Sequence, residues 1–281
     1  MTTESPQRGS TGDRIEGPRS GNGSLGHEAG QYIERVTSTL STDRPSRPAQ
    51  ARLPSLCAVC RGWGLQRICA DCVERHAAPT ARCSRCALEV AAGVVVCGAC
   101  LRQPPPWRAA RAAVGYGFPW DRLIAAFKFH DALDLAPAFA ALIARTGHDR
   151  HGSAPPLLLP VPLSAERLRE RGYNQAWELA RRLAPLLGGV ADAALLLRVR
   201  DTPHQLALPP ERRAANVKGA FAVEPRRLAE LRGRDVIVVD DVMTTGATTA
   251  EIAHVLLAAG AASVEIEVVA RTPKPDDLAT H

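Results

Sequence analysis

Residues 236–248 read Val-Ile-Val-Val-Asp-Asp-Val-Met-Thr-Thr-Gly-Ala-Thr. Four apolar residues make a strand that can be buried on both faces. Two acids stand at its carboxyl end, and a loop of small residues leads into a helix. Ligands of open α/β sheets bind at that end of the strands. Thr244, Thr245, Gly246, Ala247 and Thr248 can wrap a phosphate with backbone N–H groups and hydroxyls. Gly246 permits close approach, and the helix N-terminus adds roughly half a positive charge. Asp240 and Asp241 are placed to accept hydrogen bonds from sugar hydroxyls one unit away. The chemistry is recognition of a sugar phosphate. A Walker A loop would need Gly-Lys-Ser/Thr, and a dinucleotide fold its spaced glycines; this run has neither.

A second constellation is cationic. The apolar run Leu157-Leu158-Leu159 passes into Pro160-Val161-Pro162-Leu163-Ser164, followed by Arg167, Arg169 and Arg171 and then Gly172-Tyr173-Asn174-Gln175. Guanidinium groups suit a polyphosphate because they stay charged and bond bidentately. Arg167 and Arg171, four apart, share a helix face, although ordinary surface arginines would show the same spacing. Lys128 sits between Phe127 and Phe129 on a helix, where snorkelling at the surface and a role in a site weigh equally. Arg198, Arg200, Thr202, His204 and Gln205 open a long polar stretch that ends at Phe221. It reads as a mobile hood or a disordered insert.

All eight cysteines fall between Cys57 and Cys100, in four C-x-x-C pairs separated by eight, ten and ten residues. Disulfides would suit a secreted chain, but the N-terminus has no basic start followed by an apolar core. Two C-x-x-C knuckles place four thiolates around Zn²⁺. Sequential pairing gives Cys57, Cys60, Cys69 and Cys72 on one ion, and Cys83, Cys86, Cys97 and Cys100 on the other. A cross-braced pairing fits the spacing as well. Four thiolates per ion leave no position for water, so the two zinc ions are expected to be structural.

The elements that must hold these groups follow the α/β pattern. Residues 1–50 are rich in Ser, Thr, Gly, Arg and Pro and read as a disordered polar tail. Residues 51–106 form the cysteine module, closed by the stiff segment Gln103-Pro104-Pro105-Pro106, and 107–281 form the larger domain. Asn174 caps a helix carrying Ala176, Leu179, Ala180 and Leu183, which stops near Gly188-Gly189. Thr248 and Glu251 suggest a capping box for a helix with Ile252, Val255 and Leu256 inside, ending at Gly260. Val264, Ile266 and Val268 alternate with Ser263, Glu265 and Glu267, as in a half-buried strand. Strand, loop, helix and strand in that order predict a mostly parallel sheet flanked by helices.

Composition excludes more than it assigns. No run of about 18 apolar residues occurs, so no membrane span is expected and the cytoplasm is the default location. The net charge of +6 falls to about +2 once eight thiolates and two Zn²⁺ are counted, too little to identify a nucleic-acid partner.

The Cys-x-x-Cys module, Phe127-Lys128-Phe129, Pro160-Val161-Pro162-Leu163, Arg171 to Gln175, the R-x-R-x-T-x-x-Q segment from Arg198 and the Val238 to Thr248 run occur in one order. Together they resemble the ComF family of competence-associated proteins with a double zinc ribbon, over roughly residues 55 to 272. The acids and loop resemble the phosphoribosyl pyrophosphate signature of type I phosphoribosyltransferases. That resemblance implies ribose hydroxyls on Asp240 and Asp241 and the 5′-phosphate on Thr244 to Thr248. It implies pyrophosphate on the loop Val161, Pro162, Leu163 and Ser164, and a flexible loop bearing Arg198, Arg200, Thr202 and Gln205. Lys128, Arg167 and Arg171 become candidates to stabilise the leaving pyrophosphate, with Mg²⁺ arriving on the substrate. The implied partners are phosphoribosyl pyrophosphate or a nucleotide, and single-stranded DNA or DNA-uptake and repair proteins at the ribbon. An oligomer is compatible with the pattern. The rival implication is a nucleotide sensor or DNA-associated scaffold on the same fold. The long N-terminal tail and His130, where the family carries a small residue, depart from the pattern.

Overall fold

A computed structural model describes residues 54–147, 154–200 and 217–273. The expected disorder of residues 1–50, and the positions of Thr202 and Gln205, lie outside the described residues. The cysteine-rich part opens with a hairpin of β1 (Ser55–Leu56) and β2 (Trp63–Gly64), followed by α1 (Ala70–His76). Its second half ends in α2 (Gly98–Arg102). The larger part runs β3 (Ala109–Gly115), α3 (Trp120–Phe129), α4 (Ala136–Ala144), β4 (Leu157–Pro160), α5 (Ala165–Arg171), α6 (Gln175–Leu186) and β5 (Val190–Ala191). It continues through β6 (Leu196–Arg198), β7 (Phe221–Val223), α7 (Leu228–Leu231), β8 (Asp235–Met243), α8 (Ala247–Ala258) and β9 (Ser263–Arg271).

Five strands form one sheet in the order β3-β9-β8-β4-β5, every pair parallel. The continuous apolar runs are explained by cover on both faces. Leu158, Ile237 and Val239 join Phe127, Phe139, Leu179 and Leu183 on the side of α3, α4 and α6. Leu157, Leu159, Val236 and Val238 join Ile252, Ala253 and Leu256 of α8 on the other. Each large side chain so buried contributes about 1.5–3 kcal/mol. The parallel α/β sheet flanked by helices is the architecture expected from the element order. Among the described residues, no helix is long and apolar enough to cross a membrane.

One strand departs from expectation. β9 is covered on both faces rather than half-buried, and Glu265 and Glu267 are both sealed. An internal strand has no solvent face, so its carboxylates need charged partners. Arg111 Nη1 lies 2.6 Å from Glu265 and 3.1 Å from Glu267, and Arg108 Nε donates to Glu265 at 2.9 Å.

The two cysteine clusters dock on opposite cores. Cys57, Ile68 and Cys72 are packed with Trp120 and Phe127, and Trp120 Nε1 donates to the His76 carbonyl at 2.8 Å. Ala87, from the second cluster, belongs to the α8 side. The Ala110 N–H donates to the Ser84 carbonyl at 3.0 Å, so this cluster also covers the open edge of β3.

Candidate functional site

Strand order locates the crevice. From β4 the chain winds through α5 and α6 to β5 on one side; from β8 it winds through α8 to β9 on the other. The carboxyl ends of β4 and β8 therefore flank the switch point, where the loops diverge and leave room for a ligand. The Val161 to Ser164 loop and the Asp240 to Ala247 turn are the segments placed there.

At the turn, Gly246 is the N-cap of α8 with φ +81°, a conformation that favours glycine. The expected Thr248–Glu251 capping box is not formed. The helix starts at Ala247, which makes Thr248 its second residue, and Glu251 instead accepts from the Gly219 N–H at 2.6 Å. No side chain caps Gly246; Thr245 Oγ1 reaches only the Ala247 N–H, at 3.4 Å. The first-turn amides of a helix suit an anion.

Beside the turn, five charges gather. Lys128 Nζ lies 2.7 Å from Asp241 Oδ2, and Asp241 is 2% exposed. Asp240 keeps some surface, and its Oδ1 accepts from the Asp241 N–H at 2.9 Å. Burial lifts the Asp240 carboxyl to about 6, against the pull of Lys128 and Arg171. Burial likewise lowers the Lys128 ammonium, with Asp240 opposing and Arg171 and Arg167 reinforcing. Lys128, Arg167, Arg171, Asp240 and Asp241 are thus electrostatic neighbours, with Glu170 also acting on Arg171. Lys128 is held by the Asp241 carboxylate rather than extending free into solvent.

The segment Arg171 to Gln175 is the joint of the site. Arg171 stacks over the Phe129 ring at 5.1 Å and donates to Gln175 Oε1 at 2.6 Å. Gly172, at φ +75°, ends α5. The Tyr173 hydroxyl donates to the Phe127 carbonyl, fixing the helix that carries Lys128. Asn174 caps α6 by accepting from Ala176 N–H at 2.9 Å, as expected, and its amide donates to the Val161 carbonyl at 3.1 Å. That second bond ties the β4 loop to α6, while Val161 N–H pairs with Val239 O at 3.0 Å and Ser164 caps α5. Residues 161–164 adopt no positive φ. The sequence hints at Asn174 through its capping position; the role of Tyr173 has no local signal. Asn174→Ala is expected to cost about 1–2 kcal/mol, read as a lower melting temperature.

Arg198 and Arg200 are the candidate loop residues that fall within the described part. Arg198 stacks over Phe221 at 5.6 Å, and Arg200 donates to the Lys218 carbonyl, across the antiparallel β6–β7 pair.

The eight cysteines group as the sequential pairing gives: the sulfurs within each set all lie within 4.8 Å of one another. Cys60 to Cys69 and Cys86 to Cys97 are 3.7 Å apart. A tetrahedron of about 2.3 Å Zn–S bonds has edges of about 3.8 Å, whereas a disulfide is about 2.05 Å. The Cys69 and Cys97 N–H groups approach Cys57 and Cys83 sulfurs at 3.4 and 3.3 Å. Burial pushes Cys57 up, but N–H groups of Cys60, Cys69 and Val59 bring it down to about 6. Cys72, buried and hydrogen-bonded to its neighbouring thiols, is pushed up to about 12. A divalent cation among the sulfurs removes that conflict, so both sets fit zinc.

The phosphoribosyl transferase domain matches residues 175–278, which include Asp240, Asp241 and the Thr244 to Thr248 turn. The DNA utilization protein YhgH of Salmonella typhimurium is 35% identical over 230 residues, covering 78% of this chain and 98% of that protein. Competence protein F of Haemophilus influenzae is 31% identical over 222 residues, covering 76% and 96%. Competence protein ComFC of Bacillus subtilis is 28% identical over 163 residues, covering 54% and 60%. With two four-cysteine clusters ahead of a phosphoribosyl transferase domain, the chain belongs to the ComF family.

Proposed function

We propose that the protein binds phosphoribosyl pyrophosphate at the switch point and transfers its phosphoribosyl group, releasing pyrophosphate. The observation that carries this reading is the juxtaposition of Asp240, Asp241 and Lys128 with the start of α8, where the N-cap is a glycine with no side chain to offer. Amides at Gly246 to Thr248 and the hydroxyls of Thr244 and Thr245 hold the 5′-phosphate. Asp240, the acid with remaining surface, accepts the ribose hydroxyls, and Asp241 holds Lys128 in place. Lys128, Arg167 and Arg171, with the Val161 to Ser164 loop, receive the pyrophosphate. The bond from the anomeric carbon to the pyrophosphate oxygen breaks with its electron pair leaving on oxygen, and an acceptor lone pair forms the new bond. Asp240 would offer a hard oxygen ligand to Mg²⁺ arriving with the substrate, which would neutralise charge at the pyrophosphate. Binding energy at the phosphate end orients the reacting carbon. The zinc sets are structural. Titration with phosphoribosyl pyrophosphate and Mg²⁺, followed by pyrophosphate assay with ammonia, amines and nucleobases, tests it. Saturable binding and release are expected; the absence of binding contradicts it.

Asp240 gives the site a pH signature. Its ionised form accepts hydroxyls, so affinity should fall as pH drops through about 6, and Asp240→Asn should lose that component. Its contribution to the unliganded fold has the opposite sign. A folded value above the free carboxyl's ~3.9 favours the fold most at low pH, and that gain is lost as pH rises through about 6. Comparing pH profiles of both proteins checks it.

The second reading, a nucleotide-sensing or DNA-associated scaffold, is favoured by one surface and by the relatives' names. Trp63 is 78% exposed on the first cysteine module, next to exposed Arg61. An open indole beside a cation can stack a base and meet a phosphate of single-stranded DNA. Tight ligand binding without turnover, together with salt-dependent retention of single-stranded DNA lost in Trp63→Ala, would place the protein in that role.

A further inference from the structure

The second cysteine cluster and the phosphate turn are joined through two buried side chains. Three consecutive carbonyls of the Cys83-Ser84-Arg85-Cys86 knuckle accept donors from the α/β domain. Ser84 O takes the Ala110 N–H at 3.0 Å, Arg85 O takes Trp107 Nε1 at 2.5 Å, and Cys86 O takes Arg271 Nε at 2.9 Å. The same two side chains then reach the turn. Arg271 Nη1 donates to Met243 O at 3.0 Å and to Thr244 O. The Trp107 ring lies beneath Gly246, its Cη2 only 3.2 Å from where a Cβ would stand. Arg271 is 7% exposed and Trp107 4%. Arg85 returns the contact by donating to Arg108 O at 2.9 Å.

A guanidinium buried this way can satisfy carbonyls on both sides only while both hold their positions. The knuckle carbonyls point outward because four sulfurs are drawn to one centre. Without that constraint a short loop with little core of its own has many alternatives. The carbonyls of Met243 and Thr244 share Arg271, so the turn inherits the disorder of the knuckle.

We propose that Arg271 and Trp107 are positioning residues through which metal in the Cys83 cluster sets the phosphate affinity of the Thr244 to Thr248 turn. The inference rests on the phosphate reading given above. It assigns the second cluster a function the first does not share, since the first docks on the opposite core. By linkage, ligand at the turn then raises zinc affinity at the second cluster by the same factor that zinc raises ligand affinity.

The test uses the full chain loaded with two zinc equivalents, ribose 5-phosphate as the probe, and equilibrium competition with a coloured chelator. Labelling of released thiols assigns each equivalent to its cluster. Saturating ribose 5-phosphate is expected to raise zinc retention on Cys83, Cys86, Cys97 and Cys100 by roughly fivefold or more and to leave the first cluster unchanged. Arg271→Lys keeps the charge but loses the fork, and Trp107→Phe loses both the N–H to Arg85 O and the indole edge under Gly246. Each should raise the dissociation constant for ribose 5-phosphate and abolish the zinc effect with both zinc equivalents retained. Asp134→Asn, which breaks the 2.5 Å pair with Arg67 on the first cluster, should change neither. If Arg271→Lys does not fold, Trp107→Phe and the wild-type zinc competition decide alone. Wild type that binds ribose 5-phosphate but retains zinc equally with and without it overturns the coupling and leaves the phosphate reading standing. Wild type that binds no ribose 5-phosphate overturns both.

Discussion

Asp240→Asn should lower affinity for Mg²⁺-bound phosphoribosyl pyrophosphate by about 10–100-fold, the worth of one or two hydrogen bonds to a charged group. Its melting temperature should hold or rise. The Asp240 carboxyl already stands at about 6 because burial penalises its charge, and a neutral amide of the same shape escapes that penalty. Asp241→Asn should behave differently. It leaves Lys128, whose ammonium lies 2.7 Å from the lost charge, without its closest anion in a largely closed site. Breaking a fully buried pair costs about 3–5 kcal/mol; with Lys128 still partly exposed, about 1–2 kcal/mol is expected, or a few degrees of melting temperature. The double variant therefore loses binding and also some stability. Calorimetric titration with differential scanning of all three variants separates the effects. Equal affinity in Asp240→Asn would remove the ribose assignment.

Removal of zinc should have the largest effect on the fold. A four-thiolate zinc site is worth about 10–16 kcal/mol, as much as the whole net stability of a typical domain. Cys57 and Cys72 pack with Phe127 and Trp120, so loss of the first zinc opens the core that supports α3 and Lys128. Loss of the second bares the edge of β3. A strong chelator should release two metal equivalents, expose eight reactive thiols and lower the melting temperature by more than about 10 °C. Eight unreactive cysteines with the melting temperature unchanged would contradict the zinc assignment.

The sequence spelled out what lies close together along the chain. Strand, paired acids, small loop and helix are contiguous from Val236 to Thr248, so the turn could be placed without knowing the rest. The C-x-x-C spacing gave four cysteine pairs but left sequential and cross-braced sets equally open, and apolar runs gave β4 and β8. What stayed hidden is long-range. Nothing around Lys128 announces Asp241, and nothing around Tyr173 announces the Phe127 carbonyl. Local preference misled at Thr248, where the capping pattern yielded to a helix whose N-cap lies two residues earlier, on a left-handed glycine. It misled again at Glu265 and Glu267, where alternation suggested solvent but Arg108 and Arg111 stand opposite. The joint between Cys86, Arg271 and Met243 is of the same kind: its members share no motif.

The most direct test is a crystal of the protein soaked with phosphoribosyl pyrophosphate and Mg²⁺. The account predicts density for the 5′-phosphate within hydrogen-bonding distance of the Gly246 to Thr248 amides, ribose hydroxyls against Asp240, and pyrophosphate toward Lys128, Arg167 and Arg171. A well-ordered ligand bound elsewhere, with the turn at the end of β8 still free of phosphate, would contradict it.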